Sequence, residues 1–194
     1  MFKAEYENAM NQVAALLKMN PAWLYNVIML ESAWNPAAYN KSGAVGLIQF
    51  MPKTLKDYGM LSAQLAAKIP TGKTPVPESI KQEVRTEFLA KYPDVVSQLQ
   101  GPVLRYFRRY RDYPTEQSVY MTVLYPAYRN ASLDTAFSAD VQAQNPGIKT
   151  VGDYVALVQS RAKTRDLIAK AKSPLSLLAV AAIGFAGYIG LRQS

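Results

Sequence analysis

The 194-residue chain contains no cysteine and no histidine. Their absence excludes disulfides, thiolate nucleophiles and imidazole bases, and with them the usual zinc and copper ligands. Acid–base chemistry therefore falls to Asp, Glu, Tyr or Lys, and any metal would sit among oxygen ligands. Acidic residues are the scarcer charge, 14 against 22 Lys and Arg, giving a formal net charge of +8 and a pI near 9.6. That balance favours an anionic partner: nucleic acid, an acidic membrane surface or an anionic cell-wall polymer. Residues 1–8 mix both signs and lack an apolar run, so no cleavable secretory signal is expected there. Neither an internal repeat nor a low-complexity tract is visible. What the chain does have is 49% apolar residues and 13 Tyr, enough for one full core and an accessory segment.

Tyr6, Met10, Val13 and Leu17 recur at helical spacing, which predicts an amphipathic helix over residues 2–17. Asn20-Pro21 reads as the N-cap and first residue of a second helix ending near Ser32. Its apolar stripe is Leu24, Val27 and Ile28, and the next position on that stripe is Glu31. A carboxyl group flanked by apolar surface resists ionising, so a raised pKa and a general-acid role are expected for Glu31. A helix-terminal Glu that swings into solvent or pairs with a Lys or Arg is the plainer alternative. Asn35-Pro36 ends the helix, Ser42-Gly43-Ala44-Val45-Gly46 supplies two permissive backbone positions, and Leu47-Ile48-Gln49-Phe50 suits a strand or the floor of a cleft. Met51-Pro52 opens another helix.

In order, Glu31-Ser32, Asn35-Pro36, Ala38, Ser42-Gly43-Ala44, Gly46-Leu47-Ile48-Gln49-Phe50-Met51-Pro52 and Thr54 resemble the first two motifs of the lytic transglycosylases of the soluble-lytic-transglycosylase type, within the lysozyme superfamily. The resemblance implies a mainly α fold (α+β, lysozyme-like) with a small β-hairpin near residues 43–50. It also implies Glu31 as the catalytic residue, Gln49 and Met51 against the glycan, and Ser32 placed to bond the sugar or its peptide. Backbone around Gly46 could approach the glycan closely. The family's third motif supplies a tyrosine that bonds the catalytic Glu. Leu124-Tyr125-Pro126-Ala127-Tyr128 is similar to it only at Tyr and Ala, which makes Tyr125 the carry-over and Tyr128 the second choice.

Thr71-Gly72-Lys73-Thr74 lacks the upstream glycine and spacing of a phosphate-binding loop and reads as an ordinary loop. Pro77-Glu78 opens a helix with Ile80, Val84 and Phe88 on one face, and Gly101-Pro102 interrupts the next apolar stretch. Arg105, Arg108, Arg109 and Arg111 are interleaved with Tyr106, Tyr110 and Tyr113, a composition that suits nucleic-acid contact, a solvated face packed through tyrosines, or a basic rim for an anionic glycan. Thr115 caps an almost wholly apolar helix that Pro126 should end after Tyr125. Leu133, Phe137 and Val141 predict a further helix, Asn145-Pro146-Gly147 a turn, and Val151, Tyr154, Val155 and Val158 one more amphipathic helix to about Ser160.

The organisation expected is a domain over 1–160, a basic juxtamembrane linker over 161–173 and a transmembrane helix over 174–191, where eighteen residues carry no charge. Ala182, Ala186 and Gly190 form a small-residue stripe through which two such helices could associate. Basic residues ahead of a terminal span hold the preceding domain on the cytoplasmic side, away from a cell wall. A membrane-anchored phage virion component that meets the host wall during genome delivery resolves that conflict.

After Glu31 the next acidic residue is Asp57, so the motif offers one carboxylate where most glycosidases use two. This suits the family's chemistry, in which the substrate's own C6 hydroxyl closes a 1,6-anhydro ring on peptidoglycan and no metal or cofactor is needed. Two rivals stand beside it: a hydrolytic lysozyme, with Asp57 or a later acid brought near Glu31, and a membrane-anchored binding or structural protein that keeps the scaffold without using it.

Overall fold

The computed structural model describes residues 3–170. Ten α-helices are found there: α1 (Ala4–Leu16), α2 (Pro21–Ser32), α3 (Pro52–Asp57), α4 (Ala63–Lys68), α5 (Glu78–Lys91), α6 (Val95–Gln98), α7 (Leu104–Arg108), α8 (Glu116–Leu124), α9 (Ala139–Gln144) and α10 (Val151–Lys170). α2 is the central element and packs against α1, α8 and α10. Its start follows the predicted chemistry: Asn20 accepts a 2.9 Å bond from the Ala22 amide, and Pro21 occupies the first turn, where its missing N–H costs nothing. Leu24, Val27 and Ile28 are fully buried, each contributing about 1.5–3 kcal/mol over exposure. The helix ends where Ala33 turns left-handed (φ 52°) and its amide bonds Met29 O.

α8 begins with a reciprocal capping box between Thr115 and Ser118 and is buried from Ser118 to Leu124. It stops at Leu124, one residue short of the expected end at Tyr125, ahead of Pro126. Pro102 does not break its segment. A π-helical turn over Leu99–Val103 absorbs the missing donor and joins α6 to α7, while Gly101 lets the Tyr92 ring approach to 2.8 Å from where a Cβ would stand.

Three expectations change. Among the described residues there are no strands, only isolated antiparallel bridges, Tyr39 with Val45, Val45 with Phe50 and Ala136 with Thr150. In place of a hairpin near 43–50, Val45 and Phe50 exchange two backbone bonds (3.0 and 2.8 Å) around a tight buried loop. Leu133 and Phe137 do not share a helix with Val141. Phe137 donates to Lys149 O (2.9 Å), Gly152 to Leu133 O (2.8 Å), and α9 starts only after Ser138. α4, absent from the sequence reading, is capped by Ser62, whose amide and hydroxyl both bond Glu87 of α5.

α10 continues through Lys170, so residues 161–170 of the expected linker extend the domain's last helix. The expected transmembrane helix over 174–191, with Ala182, Ala186 and Gly190, lies outside the described residues. Among the described residues no single helix is long and apolar enough to cross a membrane.

Candidate active site

Glu31 stands on the last turn of α2, half-buried, at the edge of a cleft of about 600 Å³. Its Oε1 accepts a 3.1 Å hydrogen bond from the phenol of Tyr154, a fully buried residue in the first turn of α10. The same cleft is lined by Ser32, Asn35, Tyr39, Asn40, Gln49 and Arg85, so Glu31 is its one carboxylate and Arg85 its one cation among the described residues. Ser32 turns its hydroxyl back to Ile28 O (3.2 Å), which leaves the oxygen's lone pairs toward the cleft as acceptors.

Gln49 enters the cleft from the opposite side. Its backbone is left-handed (φ 51°), its Nε2 donates to Gly46 O (3.0 Å), and its Oε1 accepts from Asn40 Nδ2 (3.1 Å). Asn40 in turn accepts from the Ser42 and Ala44 amides, which fixes the amide pair before any ligand arrives. The loop carrying Gln49 is held from below by Gln98, which is completely buried. Gln98 Oε1 accepts from the Leu47 amide (2.9 Å) while its Nε2 donates to Pro36 O and Tyr92 O (2.8 and 3.0 Å).

Gly46 does not face the cleft. A Cβ on it would lie 2.7 Å from Gln98 Oε1 and 2.8 Å from the Phe88 ring, so the glycine serves packing of the loop on α5 and α6. Met51 lines a neighbouring cleft of about 590 Å³ with Thr54, Asp57, Tyr58 and Arg109, and Asp57 thus opens onto that cleft and not onto the one that holds Glu31. The tyrosine seen on the carboxylate is Tyr154, not the expected Tyr125 or Tyr128. Tyr125 is the cap residue after α8 and packs edge-on against Tyr128 (5.1 Å), which packs on Phe137 (5.1 Å). Pro126 explains the displacement: it stops α8 one residue before Tyr125, whose φ of −153° turns the ring off the helical face.

Arg85 and Tyr39 were not singled out in the sequence; an Arg on the otherwise polar face of α5 gives no local signal. The Arg85 guanidinium lies 4.7 Å from the Tyr39 ring centroid, a stacked arrangement that fixes it at the rim. Burial, and after it the Glu78 charge, push the Tyr39 hydroxyl up, with Arg85 opposing, so this phenol stays a donor across the neutral range. The remaining arginines divide. Arg105 reaches Gly59 O, Arg109 stacks on Tyr58 (5.1 Å), and Arg108 and Arg111 are exposed elsewhere. Among the described residues no group of three or more acidic side chains is placed to hold a metal.

A helical domain that presents one carboxylate in a polar cleft, with a pre-bonded amide opposite and a phenol on the carboxylate, is built for proton transfer to and from an uncharged substrate such as a glycan. Residues 8–71, about a third of the chain, running from α1 through the Gln49 loop and past the end of α4, match the family model described as Transglycosylase SLT domain, which indicates a peptidoglycan lytic transglycosylase. No solved structure matches the chain.

Proposed function

We propose that the protein cleaves the β-1,4 bond between MurNAc and GlcNAc with Glu31 as its single acid–base group. The observation that carries this reading is the pairing of Glu31 with Tyr154 in a cleft that holds no second carboxylate among the described residues. The Glu31 carboxyl gives its proton to the glycosidic oxygen as the bond from C1 breaks, releasing GlcNAc with a free 4-hydroxyl. The carboxylate then takes the proton of the muramyl C6 hydroxyl as O6 bonds C1, so the product is a 1,6-anhydro-muramyl end, Glu31 is regenerated and no water is consumed. Gln49 and Ser32 line the cleft beside Glu31 through which the glycan would run, and Met51, which follows Gln49 by two residues, would meet it from the second cleft.

The setting we propose is a phage particle: the domain is held at a membrane by the apolar stretch over 174–191 and opens the host wall during genome delivery. Support comes from the uncharged run and the basic residues ahead of it.

Gel clearing of peptidoglycan by wild type and Glu31→Gln, followed by mass analysis of the released fragments, tests the chemistry. Loss of clearing in the variant and anhydro-muramyl ends from wild type are expected. Equal clearing by both proteins would sink the catalytic role of Glu31, and reducing muramyl ends would replace the transglycosylase with a hydrolase.

A further inference from the structure

A second cavity of about 630 Å³ opens where the junction of α1 and α2 meets the segment between α7 and α8. Its walls are apolar, Leu16, Leu17 and Tyr113, and its charges are Lys18, Arg108 and Arg111, against a single carboxylate, Asp112. Leu16 is 60% exposed, and among the described residues it and Leu133 are the large apolar side chains left open to solvent. Among the described residues none of the three cations makes an ion pair.

The backbone here is held in an unusual state. Lys18 (φ 53°), Arg111 (φ 45°) and Asp112 (φ 34°) are all left-handed without being glycine, so half of the non-glycine left-handed residues among the described residues line this one cavity. Arg129 fixes it, donating from Nη1 to Tyr110 O (2.8 Å) and from Nη2 to Arg111 O and Asp112 O (2.7 and 2.5 Å), and Tyr113 adds a bond to Phe107 O (2.6 Å). The carbonyls are drawn inward and the Arg108 and Arg111 side chains stay exposed.

The helix directions place this cavity relative to the rest of the chain. Tyr154 meets Glu31 at the end of α2, whereas five residues on Gln159 meets Glu116, whose other oxygen accepts from Tyr120, the partner of Asn26. α10 therefore runs antiparallel to α2, away from Glu31 and toward the start of α2 and of α8. That is the end where residues 16–18 and 112–114 form the cavity. At 1.5 Å per residue, Lys170 lies about 16 Å beyond the level of Gln159, so α10 projects past this end of the domain.

We propose that this end of the domain is a docking surface for anionic phospholipid headgroups: Lys18, Arg108 and Arg111 take the phosphates, Leu16 enters the interface, and the Glu31 cleft is turned away toward the wall. Three features favour a membrane over nucleic acid. The exposed hydrophobe is aliphatic, and Tyr113 is buried with its hydroxyl bonded, so no ring is open for bases to stack on. The site is concave, which suits single headgroups. Finally, α10 projects past this same end, and the uncharged run 174–191 follows it in the sequence.

Vesicle partitioning of the full chain tests this, reading the ratio of binding to phosphatidylglycerol-containing over pure phosphatidylcholine vesicles in wild type and variants, so that the contribution of the basic residues over 161–172, which all of them share, cancels between them. Removing two surface cations with Arg108→Gln/Arg111→Gln should lower the preference for the anionic vesicles by about 30-fold. Lys18→Gln should lower it less, and Leu16→Ser should weaken binding to both vesicle types. Rising salt should shrink the wild-type preference. Clearing of solubilised peptidoglycan should be unchanged in these variants, since none of the residues lines the Glu31 cleft. A double variant with an unchanged melting temperature that keeps the wild-type ratio overturns the proposal. So does tighter binding of wild type to single-stranded oligothymidylate than to anionic vesicles, lost in the same variant. Should the double variant not fold, the ratio read on Lys18→Gln decides in the same way.

Discussion

The phenol of Tyr154 donates a 3.1 Å hydrogen bond to Glu31 Oε1 across a sequence separation of 123 residues, joining the first turn of α10 to the last turn of α2. The ring is fully buried while the carboxylate is half-exposed to the cleft, so the bond fixes a mobile group from a rigid one. Tyr154→Phe keeps the ring and removes the bond. Its expected cost in stability is about 1 kcal/mol. The expected cost in kcat on peptidoglycan is larger, up to about 100-fold, because the carboxylate loses its aim, with KM nearly unchanged. Steady-state kinetics beside a melting curve separates the two, and a variant with wild-type kcat would make Tyr154 a packing residue only.

Gly46 and Gly72 make a matched pair for testing what the Gln49 loop requires. Both are left-handed, at φ +80° and +61°, but a Cβ on Gly46 would stand 2.7 Å from Gln98 Oε1 and 2.8 Å from the Phe88 ring, whereas nothing lies within 4 Å of one on Gly72. Gly72→Ala therefore costs strain alone, about 1 kcal/mol. Gly46→Ala adds overpacking, for about 2–5 kcal/mol in all. Denaturant titration should show the larger loss at Gly46, together with weakened glycan cleavage as the loop is displaced.

How much of this was legible beforehand depends on how far apart the interacting residues are. The stripe of Leu24, Val27, Ile28 and Glu31 is a local periodicity, and α2 reproduces it because three-, four- and seven-residue spacings survive any tertiary context that buries the helix. The Val151, Tyr154, Val155 and Val158 stripe was equally readable and is equally buried. That Tyr154 turns its hydroxyl to Glu31 was not readable, since nothing near either residue encodes the crossing of α10 over α2. The motif resemblance pointed to Tyr125 instead, and Pro126 ends α8 too early for that. Residues 133–137 look helical by spacing but pair with 149–152, where Phe137 and Gly152 find backbone partners. α4 was hidden because its cap depends on Glu87 from another helix.

Gln98 shows how a residue without chemistry of its own can govern the site. Its side chain satisfies the Leu47 amide, Pro36 O and Tyr92 O in a place with no solvent exposure. Gln98→Leu preserves volume but leaves one donor and two acceptors with a lost partner, each costing about 1–3 kcal/mol where no water replaces it. A loss of about 3 kcal/mol or more is expected in chemical denaturation. Faster hydrogen exchange at the Leu47 amide should accompany it, and an unchanged Leu47 amide would show that the loop is held by other means.

The start of α10 sets where Tyr154 stands, and Asp153 sets the start of α10. Its Oδ2 accepts from the Lys149 and Thr150 amides at 2.9 and 2.8 Å, and its own amide donates to Thr150 Oγ1 (3.2 Å). The Lys149 amide first, and after it the Thr150 amide and hydroxyl, hold the Asp153 carboxyl below its ordinary value of 3.8. A carboxyl depressed in the folded state stabilises it above the unfolded pKa, and that stabilisation is lost as pH falls through the lower folded value. Asp153→Asn should accordingly melt below wild type at neutral pH, and the gap should narrow only as the pH drops below 3.8. Because the first turn of α10 also holds the phenol on Glu31, the variant's cleavage rate at neutral pH should fall with its melting temperature, while Asp153→Glu, which keeps the charge, should recover part of both. A melting gap that is constant from neutral pH to below 3.8 would show that Asp153 acts through something other than its charge.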